Sequence, residues 1–444
     1  MREQSIGGRL DRYFKITATG STVRTEVVAG ITTFVTMAYI FAVNPSILAE
    51  SGMDSGAVFT ATVVASVVAT LIMGLYANLP FGLSAGMGLN AFFSFTVVKA
   101  MGHTWQFALT AVLIEGIIFI FLSVFKIREM IVNGIPTVLK HAVSAGIGIF
   151  IAFIGLKSTG IIVSDPDNLV RMGRMTTGPV FVCVVGIIVI AGLSIARIRG
   201  AILIGIVVAT VVGIPFGVTH LNGLVSLPPS MAPTALAFRD FGLREIFSMD
   251  MLVVVFTFLF IDLFDTIGTL IGTAAKADML DERGRLPNAG RALLADAVGT
   301  TVGAMMGTST VTTFVESSAG IAEGGRTGLS AVVTAAFMAL SLFFAPFFLL
   351  IPPSATAAAL IVVGLFMMGS IAAIDFTDYA EGLPAFVTII IMPLSGSIGD
   401  GLMCGIIAYV ITNILARRTK EVSVFMIVLA VIFIAKYMMP LFTG

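Results

Sequence analysis

Apolar runs long enough to cross a hydrocarbon core of roughly 30 Å follow one another along nearly the whole chain. They read at about 23–48, 57–77, 81–98, 105–125, 137–156, 178–195 and 200–217. A more polar stretch, 218–248, comes next. A second set follows at about 249–275, 289–306, 308–322, 327–350, 354–373, 383–398 and 401–416. The pattern predicts an all-α polytopic membrane protein with fourteen transmembrane segments. Residues 1–22 form a basic N-terminal segment, 23–217 and 249–416 two seven-span repeats, and 218–248 an extracytoplasmic connection. The tail, 417–444, carries a basic segment and one more apolar run, 422–441, that either crosses the membrane or lies on it. The first run is too long and too lightly punctuated for a cleaved signal peptide.

Composition narrows the class. Charged residues are 11% of the chain, against about 25% in a soluble protein, and the mean hydropathy is +1.06. A soluble globule so built would show water large apolar patches. This excludes a cytosolic enzyme, a nucleic-acid binder and a disordered chain. Cys183 and Cys404 sit inside apolar runs and offer neither a disulfide framework nor a metal spacing. The net charge is zero, but the bases are not evenly spread. Arg2, Arg9, Arg12, Lys15 and Arg24 precede or begin the first run. Lys126, Arg128, Arg197, Arg199, Lys276, Arg283, Arg285, Arg291, Arg326, Arg417, Arg418 and Lys420 fall in the even-numbered loops. By the positive-inside rule the N-terminus is cytoplasmic and the protein is a multi-pass component of the cell membrane.

The halves resemble each other. Ile135-Pro136 recurs as Ile351-Pro352, and at the same shift Ala142, Gly148 and Phe150 meet Ala358, Gly364 and Phe366. Thr33-Phe34 matches Thr257-Phe258, and the run around Gly205 matches that around Gly405. An odd number of spans per half inverts the second copy, the arrangement by which many secondary transporters build two access states around one midplane site.

Polar groups are costly at membrane depth, an acidic side chain at a helix centre costing about 2.5–3.5 kcal/mol on insertion scales. Asp262 and Asp265 share one helix face, with Thr269 a turn further on. The hydroxyl-rich run 308–313 and then Phe314, Glu316 and Ser317 make a poor continuous membrane helix. They read better as extended backbone leading into a half-helix with Glu316 near its start. The third stretch, Gly82 to Phe93, clusters glycines around Asn90 and ends in Phe92 and Phe93. Its Gly-x-Gly-x-x-Ala spelling is no dinucleotide fingerprint, because no βαβ unit surrounds it. Two broken spans at matching third positions are the best sequence pointer to a transporter's binding site.

Other polar residues have simpler roles. Glu115 reads as a helix-contact residue, and His103, His141 and His220 as loop or interface groups. Trp105, Tyr13 and Tyr437 fit interfacial anchors. Gly324-Gly325-Arg326-Thr327-Gly328 lacks the Walker spacing, and Arg326 reads as a cytoplasmic charge. Carboxylates, an amide, hydroxyls and phenylalanines together suit a small, flat, nitrogen-rich solute. An acid held at low dielectric can carry a proton, so no metal or cofactor is required. The residues alone leave open Na⁺ coupling and an amino-acid or cation substrate.

Several stretches resemble the adenine/guanine/hypoxanthine permeases, a branch of the nucleobase–cation symporters that include the xanthine and uracil permeases. They are Asp262-Leu-Phe-Asp265-Thr-Ile-Gly-Thr-Leu, the run from Gly307 to Ile321, Gly324-Gly-Arg-Thr-Gly-Leu, Gly86-Met-Gly-Leu-Asn90-Ala and the run from Phe376 to Phe386. The similarity extends from about Tyr13 to Ala416. It implies a uracil-permease-like fold of seven plus seven inverted spans. Spans 1–4 and 8–11 would form a core domain and the rest a gate, with a short strand and a half-helix in spans 3 and 10. It further implies proton symport of a purine base held by Asp265 and Glu316. Asn90, Thr269, Phe314 and Ser317 complete the substrate-binding set, and Asp262, Asp265 and Glu316 serve proton coupling. Phe314 stands where an aromatic hydroxyl is common in the family, and Leu394-Ser-Gly-Ser replaces a Leu-Thr-Tyr-Ser-like run. Partners are then the base, protons and the lipid bilayer, with no nucleic acid and the homodimer question open. The rival readings are an anion transporter or exchanger of the same fold, a Na⁺-coupled symporter and an intramembrane enzyme. No nucleophile–base pair or metal-ligand set within the spans supports the last.

Overall fold

The computed structural model describes residues 6–124, 136–219, 223–240, 243–276, 279–281 and 286–438. Lys126, Arg128, Ile135, His220, Arg283 and Arg285 lie outside these residues. Among the described residues, nine helices are long and apolar enough to cross a membrane. Shorter, broken or less apolar elements complete the fourteen spans.

Span 1 is a helix pair, Val23–Met37 and Ile40–Ala49, interrupted at Ala38 and Tyr39. Span 2, Ser55–Ile72, starts where the Asp54 carboxylate accepts from the Ala57 N–H at 2.7 Å. It runs on through a wide turn, Met73–Ala77, and stops at Asn78, whose φ of 54° is left-handed. Span 3 begins with strand β1, Leu83–Ala85, followed by helical segments Met87–Ala91 and Phe92–Ala100. Spans 4 and 5 are Trp105–Val124 and Thr137–Thr159. A hairpin of β2, Ile162–Asp165, and β3, Leu169–Met172, leads to spans 6 and 7, Gly178–Ile195 and Ala201–Gly213.

The second half repeats this plan. Spans 8 and 9 are Met249–Lys276 and Ala289–Met306. Span 10 is strand β4, Val311–Thr313, and a six-residue half-helix, Ser317–Ala322. Spans 11 and 12 have their main helices at Gly328–Ser341 and Pro353–Met368. Span 13, Tyr379–Ser395, starts four residues before the sequence expectation, because Asp378 caps it by accepting from the Ala380 N–H at 3.0 Å. Span 14, Ile398–Leu415, starts early for the same reason: Ser397 accepts from the Asp400 N–H at 3.1 Å. The last apolar run is the helix Val424–Met438, packed on span 14.

The spans sort into two bodies by their packing. Spans 5, 6, 7, 12, 13 and 14 pack mainly among themselves, as do spans 1–4 with 8–11. These are the gate and core domains. Inside the core, β1 and β4 pair antiparallel, Leu83 opposite Thr313, Ser84 opposite Thr312 and Ala85 opposite Val311. The Gly86 N–H donates to Thr310 O and the Phe314 N–H to Gly82 O, each at 3.0 Å. All six strand residues are buried. Two interrupted spans thus satisfy each other's backbone groups, the condition for extended chain at membrane depth.

Candidate functional site

The hydroxyl run of span 10 reaches every neighbour around it. Thr308 Oγ1 accepts from Asn44 Nδ2 of span 1 at 2.9 Å and lies 3.0 Å from Thr62 Oγ1 of span 2. Ser309 donates to Asn90 Oδ1 of span 3. Thr310 donates to Glu115 Oε2 of span 4 at 2.7 Å. Thr312 and Thr266 of span 8 share a hydroxyl–hydroxyl bond of 2.8 Å, and Thr300 of span 9 donates to Val311 O at 2.9 Å. A buried hydroxyl without a partner costs on the order of 1–3 kcal/mol. The run is therefore the hub that sets the register of the core.

The carboxyls flank this hub in two layers. Glu316 stands immediately before the half-helix of span 10, and its Oε1 accepts from the Tyr39 hydroxyl at 2.5 Å. Asp265 of span 8 lies in electrostatic reach of Glu316, Asp296 and Tyr39. A Cβ on Gly86 would come within 3.7 Å of Asp265 Oδ2 and 2.7 Å of Thr312 Cγ2. Only glycine lets the first turn after β1 approach this closely. Both Asp265 and Glu316 are half-buried, as is Thr269, while Asp262 and Asp296 are sealed. Thr266 Oγ1 lies 2.8 Å from Asp296 Oδ1 and 3.3 Å from Asp262 Oδ1, so one hydroxyl spans both sealed acids.

The remaining expected site residues divide. Asn90 is buried, with Oδ1 on Ser309 and Nδ2 without a hydrogen-bond partner among the described residues. Ser317 accepts from the Gly82 N–H at 3.0 Å and so pins the entry to β1. Phe314 packs in the apolar core, and its backbone extends the strand ladder. Phe92 meets Phe258 edge-on at 4.8 Å, and Phe93 is wholly buried.

Tyr39, Asn44, Thr62, Asp296 and Thr300 are not marked by the sequence, and Thr266 appears there only inside the Asp262–Leu270 motif without a role. Asp296 carries the same signal as the other acids, a carboxylate inside a span, and the same cost argument finds it. Nothing local marks Tyr39 or Asn44.

The Gly324–Gly328 motif also does more than carry a surface charge. Arg326 donates to Ile321 O at 2.6 Å and Gly325 O at 2.9 Å, closing the end of the half-helix. Buried Glu26 of span 1 accepts from the Arg326 N–H, the Thr327 N–H and the Ser330 hydroxyl at 3.0, 3.3 and 2.5 Å. It thereby ties the residues before span 11 to span 1 beside the positive end of that helix, whose side-chain cap is Thr327.

A model of the xanthine/uracil permease type, described as the permease family, matches residues 24–404. A Methanocaldococcus jannaschii protein is 49% identical over 96% of this chain and 98% of its own length. The adenine permease AdeP of Escherichia coli is 42% identical over 97% of this chain and 96% of its own. The guanine/hypoxanthine permease PbuG of Bacillus subtilis is 43% identical over 95% and 98%. Among solved structures, the transmembrane domain of the cyanobacterial bicarbonate transporter BicA superposes with a TM-score of 0.64 at 16% identity, covering 86% of this chain and 97% of that one. That likeness shows a shared fold. On the family match and the near end-to-end identity to its relatives, the chain is a multi-pass membrane protein that belongs to the permease family, a family of transporters and not of enzymes.

Proposed function

We propose that this chain imports purine nucleobases (adenine, guanine or hypoxanthine) by proton symport across the cell membrane, with its N-terminus in the cytoplasm. One observation carries the reading. Two half-buried acids, Asp265 and Glu316, lie in mutual electrostatic reach beside a pair of strand-broken spans. They do so in a chain 42–43% identical to proteins named adenine and guanine/hypoxanthine permeases. Carboxylates accept from ring N–H and amino groups, and backbone N–H groups beside the strands donate to ring nitrogens and carbonyl oxygens. Asn90 and Thr269 line the same region, and Phe314 and Ser317 hold the strand and half-helix that present it.

A proton shared among the carboxyls offsets their mutual repulsion, which makes a proton the natural co-substrate. Asp262, sealed behind Thr266, serves turnover and does not touch the base. Residues 23–217 and 249–416 act as the two inverted repeats around this site. The test is uptake of labelled hypoxanthine, adenine and guanine in cells lacking their own permeases, with xanthine and uracil as competitors and with or without a protonophore. Saturable uptake abolished by the protonophore supports the reading. Uptake indifferent to a collapsed gradient rejects proton coupling, and no uptake of any purine base rejects the substrate.

A further inference from the structure

We infer that Tyr39 is a positioning residue for the substrate carboxylate: its phenol holds Glu316 Oε1 and leaves the other carboxylate oxygen to the base. The inference rests on the purine-transport reading above.

The geometry is specific. Tyr39 falls where the two helices of span 1 are interrupted, with Met37 ending one and Ile40 opening the next. Its side chain is wholly buried. Its hydroxyl meets Glu316 Oε1 at 2.5 Å, within the range of a charge-assisted O–H···O⁻ bond. Thr36, one turn earlier, places Oγ1 3.3 Å from Glu316 O, a contact it shares with carbonyls of its own helix. Both the side chain and the main chain of Glu316 are thus addressed from one stretch of span 1. Asp265 lies in electrostatic reach of the same phenol. Tyr39 therefore bonds one of the acids expected to hold the base and lies in electrostatic reach of the other.

A half-buried glutamate standing before a six-residue helix has rotamer freedom that its backbone does not remove. A ligand that needs an acceptor at one place must pay to select one rotamer. A rigid phenol, itself locked by complete burial, removes that freedom in advance. It also divides the carboxylate. One oxygen is occupied by a donor the protein supplies, and recognition of a ring N–H or amino group falls to the other. A buried tyrosine hydroxyl needs some acceptor in any case. The positioning role is distinguished from that requirement by its effect on affinity.

The experiment measures uptake kinetics and fluorine resonance on the full-length protein. Tyr39→Phe is expected to raise the KM for hypoxanthine by about 3- to 10-fold with Vmax per transporter within about twofold, the size expected when one side chain must be ordered on binding. Replacing Tyr39 by 3-fluorotyrosine, which keeps the hydroxyl, retains a KM near wild type and guards against misfolding of the Phe variant. The fluorine resonance of that label is expected to move in Glu316→Gln and again on adding hypoxanthine. An unchanged KM in Tyr39→Phe overturns the inference, as does a fluorine signal indifferent to Glu316→Gln. If the wild type takes up no purine base, the purine reading falls by itself, and the response of the fluorine label to Glu316→Gln alone decides whether Tyr39 holds the carboxylate.

Discussion

Gly148 of span 5 and Gly364 of span 12 face each other backbone to backbone. A Cβ on Gly148 would lie 2.5 Å from Gly364 O, and one on Gly364 would lie 2.4 Å from Gly148 O. The two stand at matching positions of the internal repeat, and the contact between them is reciprocal. Neither clash can be relieved by a rotamer change, because the obstructing atom is a carbonyl oxygen. Gly148→Ala and Gly364→Ala are each expected to destabilise the protein by about 1–3 kcal/mol. Thermal unfolding in detergent reads this directly, and equal Tm values for either variant and wild type would contradict the packing described.

If Glu316 accepts from the base as proposed, Glu316→Gln presents an amide donor where a ring N–H or amino donor needs an acceptor. Loss of one partner of a buried charged bond costs about 2–5 kcal/mol, so binding of hypoxanthine should weaken by at least about 30-fold. Asp262→Asn is expected to differ: binding persists and net uptake stops. Equilibrium binding beside uptake on the same membranes separates the two, and full transport by Asp262→Asn removes the turnover role.

Thr266 joins Asp296 to Thr312 through bonds of 2.8 Å on each side. Thr266→Val keeps the shape and deletes both bonds. The expected cost is about 1–3 kcal/mol of stability together with a lower Vmax, while Thr266→Ser restores both. A Val variant with wild-type Tm and Vmax would show that this hydroxyl carries neither stability nor turnover.

Glu26 anchors the entry to span 11 and binds the loop that closes the half-helix of span 10. Glu26→Ala strands the Arg326 and Thr327 N–H groups, while the Ser330 hydroxyl keeps the carbonyl oxygen of residue 26 as an acceptor at 3.1 Å. A loss of about 3 kcal/mol or more is expected, read as a lower Tm and poorer yield, with Glu26→Gln intermediate because its carbonyl oxygen still accepts.

Arg199, in the connection between spans 6 and 7, pairs with Glu323 at the end of the half-helix, so this ion pair bridges gate and core. Arg199 is 55% exposed and Glu323 22%, which limits the pair to about 0–1 kcal/mol. Arg199→Gln should therefore shift the balance between access states no more than about fivefold. The shift should shrink at high ionic strength, where exposed charges are screened. Accessibility of a single cysteine on the membrane face that carries Arg199, measured at two salt concentrations, checks both statements.

Much of this molecule was legible along the chain. The spans, the two interrupted elements and the acids at 262, 265 and 316 follow from one local quantity, the cost of placing a polar group in hydrocarbon, and the inverted halves from residue matches at a fixed shift. That cost belongs to residue type and depth, so a single sequence reveals it. Partner choice is not local. Tyr39 meets Glu316, Asn44 meets Thr308, and Glu26 meets Ser330 across separations of more than 250 residues. Ser317 accepts from the Gly82 N–H, a contact with a residue 235 positions away. Arg326 looked like a surface charge and instead closes a half-helix. Hydropathy decides that these residues lie in or beside the membrane. Only the packing of distant spans decides which donor meets which acceptor, because a hydrogen bond is fixed by distance and angle in space and leaves no periodic trace in the chain.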